Sequence, residues 1–99
     1  MEGFKWDPIK ELLNIAKHGV SFTTASAIWD GPTSERPDNR RNYGEPRFVA
    51  FGIAEDRVLA VVYTPRGTVC RIISARIADR WERRLYEDEI ARRRRTRPD

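Results

Sequence analysis

Apolar positions change their period along the chain, and the changes mark the elements. Gly3-Phe4-Lys5-Trp6 places one charge between two aromatics, which predicts a short edge strand. From Asp7 the period becomes helical. Asp7 is an N-cap that accepts orphan amide bonds, and Pro8 sits at the first helical position, where no donor is needed. Ile9, Leu12, Leu13 and Ala16 recur at helical spacing as one apolar stripe. Gly19 reads as a left-handed C-cap behind Lys17 and His18, cations that suit the helix dipole. Ser21 caps a second, shorter helix with Phe22, Ala25, Ile28 and Trp29 on its buried side. Asp30-Gly31-Pro32 ends it. Residues 31–47 are polar and rich in Pro, Gly and Arg, so a long loop is expected there.

Three strands follow, over 48–53, 58–64 and 68–76, joined by Ala54-Glu55-Asp56-Arg57 and Pro65-Arg66-Gly67. Such short turns predict an antiparallel meander. Val58 to Tyr63 is apolar on both parities, which suits a central strand covered on both faces. Asp79 and Glu82 have capping-box spacing and open a last helix, with Trp81, Leu85 and Ile90 as its buried side. The expected fold is α+β, a small antiparallel sheet with helices packed on it, in the order β-α-α-β-β-β-α.

Composition narrows the function classes. The chain has 99 residues, one Cys and one His. That length supports a single domain. Lone Cys70 excludes an internal disulfide, and no Cys pair, HExxH or Gly-rich phosphate loop is present, so neither metal nor cofactor is expected. No apolar run approaches a membrane span, and Lys5 and Asp7 interrupt any signal-peptide core; a cytoplasmic home is the default. The formal net charge is +4, and all of it lies in residues 92–99, which hold five Arg and one Asp. The domain is therefore placed at 1–91, followed by an Arg-rich tail at 92–99. Such a tail is either a solvated terminus or a phosphate-seeking arm.

Several polar residues are candidates for chemistry. Arg71 and Arg76 lie on the third meander strand, with parity placing Arg71 on one face and Ser74 and Arg76 on the other. They are either strand-end charges reaching water or phosphate ligands. Tyr63 is either a core aromatic or a site hydroxyl. Tyr43, Glu45 and Arg47 crowd one loop, as a stitch or as a site. His18, beside Lys17, is either a dipole-stabilising cation or a proton-transfer group. An enzyme limited to Arg, Lys, His, Tyr and Glu is equipped for metal-free RNA cleavage through the 2′-hydroxyl. A non-catalytic module that docks a protein or nucleic acid is the alternative.

Phe4-Lys5-Trp6-Asp7-Pro8, Asn14 to Phe22, Arg41-Asn42-Tyr43-Gly44-Glu45-Pro46-Arg47, Val61-Val62-Tyr63-Thr64, Arg71 to Arg76 and Glu82 to Tyr86 together resemble the BrnT toxin family. The resemblance implies a RelE-like fold and the ribonuclease half of a type II toxin–antitoxin pair. It further implies a BrnA-like antitoxin, a ribbon–helix–helix DNA-binding dimer that holds two toxins and carries the complex to operator DNA. The positions that match the family pattern are Lys17, His18, Tyr43, Glu45, Arg47, Tyr63, Arg71, Ser74 and Arg76. Arg76, Arg71, His18, Glu45 and Tyr63 are the expected catalytic set, and Lys17, Tyr43, Arg47 and Ser74 the expected RNA contacts.

Overall fold

The structure, a computed structural model, describes residues 2–96. Its elements are β1 (Phe4–Lys5), α1 (Pro8–His18), α2 (Phe22–Ser26), a 3-10 turn (Ala27–Asp30), β2 (Ser34–Pro37), β3 (Phe48–Ala54), β4 (Arg57–Arg66), β5 (Val69–Ile77) and α3 (Arg80–Thr96). The caps form as the sequence predicts. Asp7 accepts the Ile9 amide at 2.8 Å, Gly19 takes φ 71°, and Ser21 accepts the Thr24 amide. The Asp79 amide donates to Glu82 at 2.8 Å.

The five strands are ordered β1-β5-β4-β3-β2. The sheet is mixed rather than wholly antiparallel, because β1 runs parallel to β5. A further strand, β2, lies inside the stretch expected to be a loop and pairs antiparallel with β3 from Ser34↔Phe51 to Pro37↔Phe48. Ser-Glu-Arg-Pro shows no apolar alternation; an edge strand exists there because β3 offers a free ladder, and Pro37 and its charges suit an edge.

One face of the sheet carries α1, α2 and the 3-10 turn over a core that includes Phe22, Ile28, Leu59, Val61 and Ile72. Gly52 admits this packing, since a Cβ there would stand 2.8 Å from Ile28 Cβ. The opposite face is covered at one end by α3, through Tyr86 and Ile90 on Phe51, Val58 and Ala60. The rest of that face is open.

Two helices sit differently from the sequence reading. On α3 the buried side chains are Glu82, Tyr86 and Ile90, whereas Trp81 and Leu85 are exposed at 60% and 46%. The Tyr86 hydroxyl reaches the Pro32 carbonyl at 2.7 Å, which rotates the helix away from the Trp81–Leu85 line. The helix also runs on through Arg92–Arg95 to Thr96, so this part of the expected tail is helical; Arg97, Pro98 and Asp99 lie outside the described residues. On α1 the inversion is complete. Ile9, Leu12 and Leu13 are 64–68% exposed, and the one buried residue is Asn14. Its Nδ2 donates to the carbonyls of Val20 (2.9 Å) and Ala75 (2.8 Å), and its Oδ1 accepts the Ala75 amide at 3.1 Å. Asn14 thus imitates a neighbouring strand along the edge of β5 that β1 leaves unpaired. One turn earlier, Glu11 accepts the Phe22 amide at 2.9 Å. The helix stands on a polar stripe and presents its apolar stripe outward.

Candidate active site

The open part of the second sheet face is a groove of about 470 Å³. Its floor is apolar, formed by Val49, Phe51, Ala60 and Val62 of β3 and β4. Ser74 and Arg76 enter from β5, Arg36 from β2, and Asp38 and Arg40 from the loop after it. Lys17 and His18 come from the last turn of α1, and Trp81 and Glu82 from the first turn of α3. Cations surround a floor on which planar groups can rest.

Two carboxylates hold arginines in this groove. Glu82, buried, receives Arg76 Nη1 at 2.7 Å and Nη2 at 2.9 Å. These bonds hold the Glu82 carboxyl below the usual carboxylate range and raise Arg76. The pairing uses one hydrogen on each terminal nitrogen, so Nε–H and the remaining Nη–H groups of Arg76 stay available to an anion. Asp38 binds Arg40 through Nε at 2.8 Å and Nη2 at 2.9 Å, which lowers Asp38 and raises Arg40. Both carboxylates remain ionised and are unsuited to donating protons near neutrality. Arg36 lies over the Phe51 ring, 5.3 Å from its centroid.

The sequence-predicted residues divide. Lys17, His18, Ser74 and Arg76 line this groove together. Arg71 is on the same face but farther along, beside Phe4, Lys5 and Trp6. A bulge decides this. Val62 pairs with Ser74 but Tyr63 with Ile72, leaving Ile73 unmatched and resetting the parity of β5. Arg71, paired with Thr64, therefore shares a face with Ser74 and Arg76, contrary to the strict alternation expected of the strand.

Tyr63 points to the other face. It stacks on Phe48, meets Trp29 edge-on, and donates its hydroxyl to Glu35; burial and this bond raise its pKa. Tyr43, Glu45 and Arg47 lie in the 38–47 loop, outside the groove. Arg47 sits 4.0 Å over the Tyr43 ring and pairs with Glu45 at 3.5 Å, and Glu45 also meets Arg66 at 3.3 Å. The Asp38 amide to the Arg47 carbonyl, 2.8 Å, closes the loop. Cys70 is fully buried, and burial pushes its thiol up to about 12.

Arg36, Arg40, Trp81 and Glu82 belong to the groove without having been singled out for it. Arg36 and Arg40 lie in a polar stretch with no periodicity, and only the pairing of β2 places them. Glu82 was legible as a capping residue; its second bond, to Arg76, was not. Among the described residues no cluster of three His, Cys, Asp or Glu has the arrangement to hold a metal ion, and no helix is long and apolar enough to cross a membrane.

The profile of the family described as "Ribonuclease toxin, BrnT, of type II toxin-antitoxin system" matches residues 6–82. The chain belongs to the BrnT toxin family. It is also similar to a solved structure, the 1.1 Å crystal structure of the Brucella abortus ribonuclease toxin BrnT. The TM-score is 0.64 and the identity 26%, over 81% of this chain and 100% of that one. A search of curated proteins finds no match. The α+β, RelE-like arrangement expected from the sequence is thus the BrnT arrangement, with β2 added to the expected order. Every residue that lines the groove falls within the segment matching BrnT. Membership in a type II toxin–antitoxin family implies a cognate antitoxin.

Proposed function

We propose that the chain is a metal-independent endoribonuclease that halts translation in the cytoplasm until an antitoxin of the BrnA kind neutralises it. The observation that carries this reading is the groove. In a ribonuclease-toxin family, it gathers Lys17, His18, Arg36, Arg40 and Arg76 around an apolar floor. Arg36, Arg40 and Lys17 hold the RNA backbone, and Ser74 adds a hydrogen bond. A base rests on the floor or on Trp81, since base–aromatic stacking supplies about 1–3 kcal/mol.

His18 supplies the one imidazole in the groove, a group able to accept a proton through a ring nitrogen. As general base it takes the 2′-hydroxyl proton. The 2′-oxygen attacks the adjacent phosphorus in line, and the bond to the 5′-oxygen breaks. The free Nε–H and outer Nη–H groups of Arg76 steady the added negative charge, with Glu82 fixing the guanidinium plane. Lys17 places positive charge at the leaving oxygen, and water supplies its proton. The products are a 2′,3′-cyclic phosphate and a 5′-hydroxyl. Glu45, Tyr43, Arg47 and Tyr63 support the loop and core in this scheme, and Arg71 lies along the RNA path beyond the reacting phosphate. Two toxins bound to two antitoxins, reaching operator DNA through the antitoxin, complete the reading.

The test is cleavage of a defined RNA by the purified chain in excess EDTA, beside the same RNA with a 2′-deoxy nucleotide at the cut site. Cleavage of the first, a cyclic phosphate end and an intact second substrate are expected. Cutting at the deoxy site, or activity that returns only with Mg²⁺, overturns the mechanism. A folded chain that binds RNA and leaves it whole is a binding module instead.

A further inference from the structure

The inverted helix α1 asks for a covering. Ile9, Leu12 and Leu13 are each about two-thirds exposed, Ile15 is 40% exposed, and α1 uses Asn14 and Glu11 to face the body. A contiguous apolar patch of this kind marks an interaction site. It is continuous with the groove, because Leu13 stands one turn before Lys17, which lines it. From α3, Trp81 enters the same groove, and exposed Leu85 follows one turn later. Two apolar strips on different elements thus border one basic cleft.

We propose that α1 is the principal docking surface of the antitoxin, whose apolar residues cover Leu12 and Leu13 on one side and Leu85 on the other. Between them an acidic segment of the antitoxin lies in the groove. This rests on the toxin reading and says how the same site is silenced. Charge chooses the occupant. Lys10 and Lys17 are the exposed charges of α1, since its one acid, Glu11, is turned onto the Phe22 amide. A second copy packed on α1 would bring lysines to lysines, and like charges in contact disfavour it. The side chains of one three-turn helix also offer less than the roughly 800 Å² per partner of a stable complex. An acidic chain that spans both strips and meets the cations between them gains the remaining area and opposes their charge.

The experiment uses the full chain and its cognate antitoxin as a purified polypeptide. Leu12→Glu with Leu13→Glu, and separately Leu85→Glu, change exposed positions outside the groove lining. The double variant is expected to raise the antitoxin Kd about 100-fold and Leu85→Glu about 10-fold, as for truncated interface anchors. Circular dichroism and RNA cleavage by the isolated variants should match the parent. The parent Kd should rise steeply with NaCl. An unchanged Kd for the double variant overturns the inference. So does a parent chain that is itself a dimer and is split by the double variant while antitoxin affinity holds, for then a second copy is the occupant. The catalytic reading fails separately, by absence of RNA cleavage from a parent chain that still binds antitoxin through α1.

Discussion

Replacing Asn14 with Ala should harm this protein more than replacing any leucine of the same helix. Asn14 is 7% exposed and makes three hydrogen bonds, to Val20 O, Ala75 O and Ala75 N. Each is worth about 1 kcal/mol net, and a buried partner left unsatisfied costs about 1–3 kcal/mol. Alanine removes all three bonds and strands both backbone groups of Ala75 on the β5 edge. Some of that edge will find water, so the expected loss is about 3–5 kcal/mol, from a total of roughly 5–15 kcal/mol for a domain of this kind. At about 4–8 °C per kcal/mol, the melting temperature should fall by roughly 12–40 °C. Leu12→Ala and Leu13→Ala, at 67% and 64% exposure, should each change stability by under about 0.5 kcal/mol. Urea unfolding followed by tryptophan fluorescence measures all three. An Asn14→Ala loss below about 1 kcal/mol, or a larger loss at either leucine, would show that α1 packs through its apolar stripe and would refute the inverted orientation.

Arg76→Ala should lower single-turnover RNA cleavage by about 10²–10³, the loss of one charge-assisted contact in the transition state. Because it also leaves buried Glu82 unpaired, circular dichroism must show that the variant is folded; full activity removes Arg76 from the chemistry. The carboxyls of Glu82 and Asp38 are both held below their ordinary values of 4.5 and 3.8. Their stabilisation is therefore complete above those values and is lost as pH falls through the lowered ones. Unfolding free energy should drop below about pH 4.5, and Glu82→Gln should flatten that acid slope; an equal slope in the variant removes Glu82 as a source. Truncation after Ala91 removes the Arg93 bond to the Thr33 carbonyl (2.8 Å) and Arg92, Arg94 and Arg95. If the run holds RNA, RNA affinity should fall and lose salt dependence while antitoxin binding stands; the reverse assigns it to the antitoxin.

Local chemistry made much of the fold legible. Asp7-Pro8, Gly19, Ser21 and the Asp79–Glu82 spacing act within a few residues of themselves, so helix ends can be read from them. The meander strands follow from apolar runs and short turns, and Val58–Val61 is indeed buried within the central strand. Lys17, His18, Ser74 and Arg76, picked by residue type and family pattern, do share one groove. Tertiary pairing decided the rest. β2 and the parallel partnership of β1 depend on partners far along the chain, which no local period encodes. The bulge at Ile73 moved Arg71 to the face of Ser74 and Arg76, because one unmatched residue inverts strand parity. Arg36 and Arg40 entered the site only through β2. On α1 an apolar stripe at perfect helical spacing turned outward, since the three hydrogen bonds of Asn14, two with Ala75 on the unpaired edge of β5 and one to the Val20 carbonyl, could be made only from the opposite side of the helix. Periodicity states which residues share a face; what that face meets is set by the backbone groups and partners that need it.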